Sequence, residues 1–155
     1  MVEQHSPTLF KLVHGPNFPA AVQALLLLWQ IMNAHMAISD RFYRALYQAL
    51  LSPEAVRSSK SAQLLALLFK ALKADVQQRR AAAFVKRLLQ VASEAAPSFT
   101  CGALIVVSET FKAKPGLWAL VQESEAEGAQ EEHFRDAPGS DDEGSDRSGG
   151  GGEGQ

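Results

Sequence analysis

The segment from Ala20 to Ile38 is apolar on nearly every side of a helix, and no other stretch constrains the fold as strongly. A helix of this kind has to be covered on several sides. A membrane span needs about 20 mostly apolar residues, and polar side chains inside it are costly. The segment is interrupted by Gln23, Gln30, Asn33 and His35. We therefore predict a helix buried in protein, and no membrane span.

Proline, glycine and serine divide the first 122 residues into segments whose apolar residues recur at helical spacing. Strand signals are almost absent. We predict seven helices, over Pro7–His14, from about Phe18, over Asp40–Leu51, Ser59–Lys73, Asp75–Ala95 and Pro97–Lys114, and from Pro115. Short connections and too many helices for one four-helix bundle favour stacked helical pairs. The predicted fold is all-α, a helical-repeat solenoid fragment of the HEAT or armadillo type.

The charge is divided between two parts of the chain. Residues 1–122 hold 13 Lys and Arg against six Asp and Glu, whereas residues 123–155 hold two against 11. The net charges are therefore +7 and −9. The second part is rich in Gly, Ser, Asp and Glu and has too few apolar residues to offset the entropy of ordering. We predict a helical domain over residues 1–122 and a disordered acidic tail over residues 123–155.

Several classes of site are not expected. The single cysteine, Cys101, excludes an internal disulfide framework and a Cys-rich zinc site. The four histidines have no close metal-ligand spacing, and Gly149–Gly152 follow no strand and open no helix, so no phosphate loop is indicated. The sequence contains no hydrolase or kinase signature. We expect no enzyme activity, no metal, no cofactor and no small-molecule substrate.

Six runs of residues together carry a family resemblance. They are LFKLVH (9–14), AVQALLLLWQI (21–31), SDRFYRALY (39–47), AAFVKRLLQVA (82–92), CGALIVVSETFKAKPGLW (101–118) and EEHFRD (131–136). In their order and spacing the chain resembles the CCAAT-binding factor family of nucleolar complex proteins. The resemblance covers about Leu9 to Asp136.

The resemblance implies a non-enzymatic, nucleolar assembly factor of the large ribosomal subunit. It also implies a helical-repeat fold, a partner that is another nucleolar complex protein, and binding to pre-60S ribosomal particles and possible contact with pre-rRNA. The older family name implies an alternative, a transcriptional cofactor at CCAAT-containing promoters. Family members are much longer than this chain, so we expect a fragment or a truncated form.

A basic stripe on the fifth predicted helix is the first candidate site. At about 100° per residue, Arg79, Arg80, Lys86 and Arg87 fall within one sector of roughly 120°. Lys70 and Lys73 on the preceding helix extend it. Such a stripe is suited to RNA phosphates, with salt-sensitive and largely sequence-independent binding. Two alternatives stay open: a merely solvated helix face, or a surface that the acidic tail covers in competition with RNA.

Two tyrosines one helical turn apart form the second candidate site. Tyr43 and Tyr47 lie beside Arg41 and Arg44, a grouping suited to stacking unpaired bases or to a protein partner. The alternative is a seam between helices, where apolar rings are buried and hydroxyls stay at the edge.

Two further patterns bear on function. A DNA reader needs base-contacting side chains at the start of a recognition helix, and Gln77 and Gln78 with the arginines after them are a weak version. In the tail, Ser140 and Ser145 precede acidic residues and are candidate phosphorylation sites. Phosphorylation would add about −1.5 to −2 charges per site. We expect this acidic tail to tune RNA or partner binding by electrostatic competition.

Overall fold

The computed structural model describes residues 2–122. Within this range all regular secondary structure is helical, and there is no strand. Seven helices are α1 (Val2–Val13), α2 (Phe18–Ala34), α3 (Asp40–Leu51), α4 (Glu54–Arg57), α5 (Ser61–Ala74), α6 (Gln78–Ser93) and α7 (Pro97–Ala113). Residues 117–122 are also helical. The predicted all-α class is confirmed. The predicted disordered tail lies outside the described residues.

The helix bounds differ from the prediction by one or two residues at several ends, and by more in three places. A separate turn, α4, precedes α5, because Pro53 is followed by residues that complete one helical turn before Ser58 adopts an extended conformation. α6 begins at Gln78 and not at Asp75, because Gln77 is extended and the Asp75 carboxylate accepts from the Gln77 N–H at 2.8 Å. α1 begins before Pro7, a residue that removes only one backbone donor.

Two helix starts follow the expected capping chemistry. The Asn17 side chain accepts from the Ala20 N–H at 3.1 Å, and the Ser39 hydroxyl accepts from the Phe42 N–H at 3.3 Å. Short polar side chains satisfy backbone donors that the first helical turn leaves unpaired. The Ser39 cap sets the start of α3, and therefore which α3 side chains face α6.

The helices pack in two rows. In one row α2 packs on α5 and α5 packs on α7; in the other α1 packs on α3 and α3 packs on α6. The rows are joined within consecutive pairs, as where α2 meets α3 and α6 meets α7. At Gly102 an added Cβ would lie 2.8 Å from a Leu65 methyl group, so glycine permits the close approach of α7 to α5.

One apolar core runs between the rows. From α2 it takes Leu25 and Leu28, both with no exposed surface, and Trp29, which packs on Phe42 of α3 at 5.7 Å between ring centroids. Each such side chain contributes about 1.5–3 kcal/mol when fully buried. The prediction that α2 is covered on several sides is confirmed by its contacts with α1, α3 and α5. Met36, which belongs to the apolar segment predicted to be buried, is instead 91% exposed beyond the end of α2.

Candidate functional site

A cleft of about 510 Å³ lies between α3 and α6. It brings together the two candidate sites that sequence spacing identified separately. Its lining comprises Asp40, Tyr43, Arg44, Tyr47, Gln48, Gln77, Arg80, Ala83 and Phe84. The tyrosines of α3 therefore face one edge of the basic stripe of α6.

Arg80 is held by two carboxylates at the end of this cleft. Its guanidinium donates to both oxygens of Asp75, from Nε at 2.7 Å and from Nη2 at 2.7 Å, and from Nη1 to Asp40 at 2.6 Å. The Asp75 side chain has no exposed surface, whereas that of Asp40 is 69% exposed. Hydrogen bonding to Asp75 raises the pKa of Arg80 above its ordinary value. Arg80 thus neutralises a buried charge and is not a free cation.

Tyr43 is part of the same cluster. The Arg80 guanidinium carbon lies 3.8 Å from the centre of the Tyr43 ring, and the Tyr43 hydroxyl donates to the Ala71 carbonyl at 3.2 Å. The residue is only 3% exposed. Burial, helped by the nearby charge of Asp75, raises the pKa of Tyr43 to about 12. Of the two interpretations left open for this tyrosine, the structure places it in a helix seam, where its ring is closed to a base.

Tyr47 and Arg87 form a second pair one turn further along. Arg87 Nε donates to the Tyr47 hydroxyl at 3.1 Å, and the Tyr47 ring packs edge-on against Phe84 at 5.1 Å. Both Tyr47 and Arg87 are half-buried. Arg87 accordingly faces α3, in the same direction as Arg80.

The other edge of α6 carries Arg79 and Lys86. Arg79 is exposed and Lys86 half-buried, and in the part of the chain that the structure describes no carboxylate pairs with either. The exposed Arg44 of α3 also has no acidic partner in that part. Between the two edges lies Ala83, whose small side chain leaves the middle of the face open. The predicted stripe is therefore divided into a neutralised inner edge and a free outer edge.

The remaining candidates lie further out. Arg41 is exposed and stacks over Phe10 of α1, 4.1 Å from the ring centre. Lys70 and Lys73 are exposed on α5, and the Lys73 ammonium lies 6.0 Å from the centre of the Phe69 ring. Among the described residues, α5 has its main contacts with α2, α4 and α7 and not with α6. Ser140 and Ser145 lie outside the described residues.

Sequence spacing missed Asp75 and Asp40 as partners of Arg80. The signal for Asp75 was its position five residues before Arg80, across a helix start, whereas no local pattern pairs Asp40 with a residue 40 positions away. Arg80, one of the arginines in the weak DNA-reading pattern at the start of α6, is bound by these carboxylates and is not free to contact a base. Gln77, the residue before α6, lines the cleft, and Gln78 lies beside Gly116.

No group of three or more His, Cys, Asp and Glu residues among those that the structure describes could hold a metal ion. Nor does the described part of the chain contain a helix with the length and hydropathy that crossing a bilayer requires.

The CBF/Mak21 family model matches residues 21–153. This range includes most of α2, the whole of α3 to α7 and the whole lining of the cleft. The chain belongs to the CBF/Mak21 family. The predicted family resemblance is confirmed.

Relatives agree with this membership. The chain is 51% identical over 136 residues to human CCAAT/enhancer-binding protein zeta, covering 88% of the chain and 13% of that protein. It is 45% identical over 136 residues to ribosome biogenesis protein NOC1 of Chaetomium thermophilum, covering 87% and 13%. It is 38% identical over 114 residues to nucleolar complex protein 1 of Drosophila melanogaster, covering 72% and 10%.

The chain thus spans about a tenth to an eighth of the length of such CBF/Mak21 relatives. The names of the fungal and fly proteins concern ribosome biogenesis and a nucleolar complex. By this kinship the chain is a nuclear, nucleolar protein.

Proposed function

We propose that this chain is part of a non-enzymatic scaffold in nucleolar ribosome biogenesis, in large-subunit assembly and pre-rRNA processing. It binds protein partners, among them another nucleolar complex protein within pre-60S particles, and it contacts pre-ribosomal RNA. Family membership and the names of the fungal and fly relatives support the process. The geometry of α6 supports the RNA contact.

The scaffold role rests on the two rows of helices. We propose that α2, α5 and α7 are equivalent helices of consecutive units of a solenoid, and that α3 and α6 are equivalent helices of the other row. In such an array each unit contacts only its neighbours and presents extended surfaces to partners. The order of packing, α2 on α5 on α7 and α3 on α6, supports this interpretation.

The observation that carries the RNA contact is the outer edge of α6. Arg79 and Lys86 lie one above the other on one side of the helix and have no carboxylate partner within residues 2–122. Cations of this kind neutralise phosphates and release counterions, so the affinity falls steeply with salt. The seam position of Tyr43 argues against base stacking there, and therefore for contact with the backbone of RNA.

Charge reversal tests this contact directly. The variant Arg79→Glu, Lys86→Glu should weaken binding of the full chain to a labelled ribosomal RNA fragment by roughly 30-fold at low salt. The matched control is Lys11→Glu, Arg57→Glu, the same charge change at exposed positions on α1 and α4. Equal losses in both variants would contradict a specific surface and indicate only the net charge of the chain.

The name of the human relative favours a second candidate, a transcriptional cofactor at CCAAT-containing promoters. The same full chain should then bind a CCAAT duplex more tightly than a scrambled duplex of equal length. Purification of the tagged chain from nuclear extract, with and without nuclease, separates the candidates. Large-subunit assembly factors and pre-rRNA support the scaffold, whereas promoter-bound factors without ribosomal material support the cofactor.

A further inference from the structure

The connection after α7 lies close to the start of α6. Lys114, just after α7, donates a hydrogen bond from its ammonium to the Asp75 carbonyl. At Gly116 an added Cβ would lie 3.6 Å from the Gln78 side-chain oxygen. Helical residues 117–122 follow, anchored by Leu117, which has no exposed surface. The acidic residues 123–155 are therefore joined to the body one short helix away from Arg79.

The charges on the two sides of this junction are complementary. Residues 123–155 carry a net charge of −9, and they contain 11 carboxylates against two arginines. On the described body, Arg79, Lys86 and Arg44 have no ion-pair partner. A segment tethered to the same chain competes at an effective concentration that a separate ligand has to exceed. Even weak ion pairing is then enough to compete with a separate ligand.

We infer that residues 123–155 are an intramolecular competitor that occupies the free cationic edge of α6 and limits access of RNA to it. The inference rests on the proposed RNA contact and adds its regulation. Its recognition is electrostatic, so it depends on the number of carboxylates and is weakened as the Debye length shortens with salt. The inner edge of α6 is not involved, because Asp75 and Asp40 already hold Arg80.

The contact itself is measurable without RNA. In the full chain, Cys101→Ser removes the single thiol and Ser140→Cys supplies a site for a nitroxide label. At low salt the label should broaden the NMR amide signals of the first half of α6, and those of α1 should stay sharp. High salt should remove the broadening, and so should Arg79→Glu, Lys86→Glu. Lys11→Glu, Arg57→Glu is the matched control and should leave it unchanged.

The consequence for RNA is tested with neutral tails. Changing all 11 acidic residues of the tail to their amides should tighten RNA binding of the full chain roughly tenfold at low salt. A tail with the same composition in scrambled order should bind RNA as the natural chain does, because only charge is being tested. No tightening with the amide tail overturns the inference, and so does tightening with the scrambled tail.

The two experiments separate this inference from the proposed function. Broadening of α6 without any RNA binding supports the intramolecular contact and contradicts the RNA proposal. RNA binding that depends on Arg79 and Lys86, without broadening of α6 and without an effect of the amide tail, supports the RNA proposal and overturns the competitor.

Discussion

The two edges of α6 carry the same kind of residue, but only one edge has its charge neutralised by carboxylates. On the inner edge, Arg80 and Arg87 lie against the tyrosines of α3, and Arg80 is bound by Asp75 and Asp40. On the outer edge, Arg79 and Lys86 have no acidic partner in the described part of the chain. Arg79 and Arg80 are adjacent in sequence. The difference teaches that the charge of a residue and its availability to a ligand are separate properties.

The inner edge also explains why a basic face can stabilise a fold. Asp75 is buried in the connection between α5 and α6, and an isolated buried carboxylate is costly. Arg80 compensates it with two hydrogen bonds and packs its flat guanidinium on the Tyr43 ring. The cluster therefore joins α3, the end of α5 and the start of α6.

The largest expected difference between the edges is in stability. Arg80→Ala leaves Asp75 buried without its partner and should lower the free energy of unfolding by about 3 kcal/mol. Arg79→Ala, one residue away, should change it by no more than about 0.5 kcal/mol. Urea denaturation of both variants measures this. Similar losses would show that the two edges do not differ, and adding Asp75→Asn to Arg80→Ala should recover part of the loss.

Alkaline pH should destabilise the inner edge through Tyr43. The pKa of Tyr43 is raised to about 12 from an ordinary value of 10.0, so the folded state keeps its proton longer than the unfolded state does. The stabilisation is complete below about pH 10 and is lost as pH rises toward 12, by at most about 1.4 kcal/mol per pH unit. Denaturation at several alkaline pH values should show a shallower loss in Tyr43→Phe. Equal slopes in both proteins would contradict the assignment.

A single neutral substitution on the outer edge should have a moderate effect on RNA binding. Arg79→Ala removes one phosphate contact, so the affinity should fall roughly threefold and the slope of log affinity against log salt should decrease by about 0.7 to 0.9. Titrations at several salt concentrations give both quantities. An unchanged slope would place the RNA elsewhere, and Lys11→Ala is the matched control.

The smallest expected effect concerns the second pair of the inner edge. Tyr47→Phe keeps the ring on Phe84 and removes the hydroxyl that accepts from Arg87 at 3.1 Å. Because the pair is half-buried, the loss should be about 0.5 kcal/mol. Thermal unfolding of this variant beside Arg87→Ala tests whether the hydroxyl matters. A loss as large as that of Arg80→Ala would mean that the second pair is also a buried cluster.

Much of the fold was predictable from local pattern. The bounds of α3 agree with the prediction at both ends, because Ser39 caps its start and Pro53 follows its end. The connection before α6 was not predictable in the same way. Asp75 was expected to begin the helix. Instead its carboxylate accepts hydrogen bonds from the Gln77 N–H and the Arg80 guanidinium. A carboxylate that could either cap a helix or bind a cation takes the role that its neighbours in the folded structure allow.

For the candidate site, the sequence identified the cations and the tyrosines but not their pairing. It placed Arg79, Arg80, Lys86 and Arg87 on one face, and α6 carries all four. It left the role of Tyr43 open between base stacking and a seam, since a ring with a hydroxyl suits both. The structure decides for the seam through the hydrogen bond to Ala71, which is 28 residues away.

The sequence by itself determined the helical class, the family and the positions of the charges, because these depend on residue spacing and composition along the chain. Only the tertiary structure decided which charges are free. Packing of α3 on α6 brings Asp40 to Arg80 across 40 residues and buries Asp75 beneath it, while Arg79 projects away. The rotation of about 100° per residue fixes the direction of a side chain within its own helix. The neighbouring helix that it meets depends on how the rows are stacked.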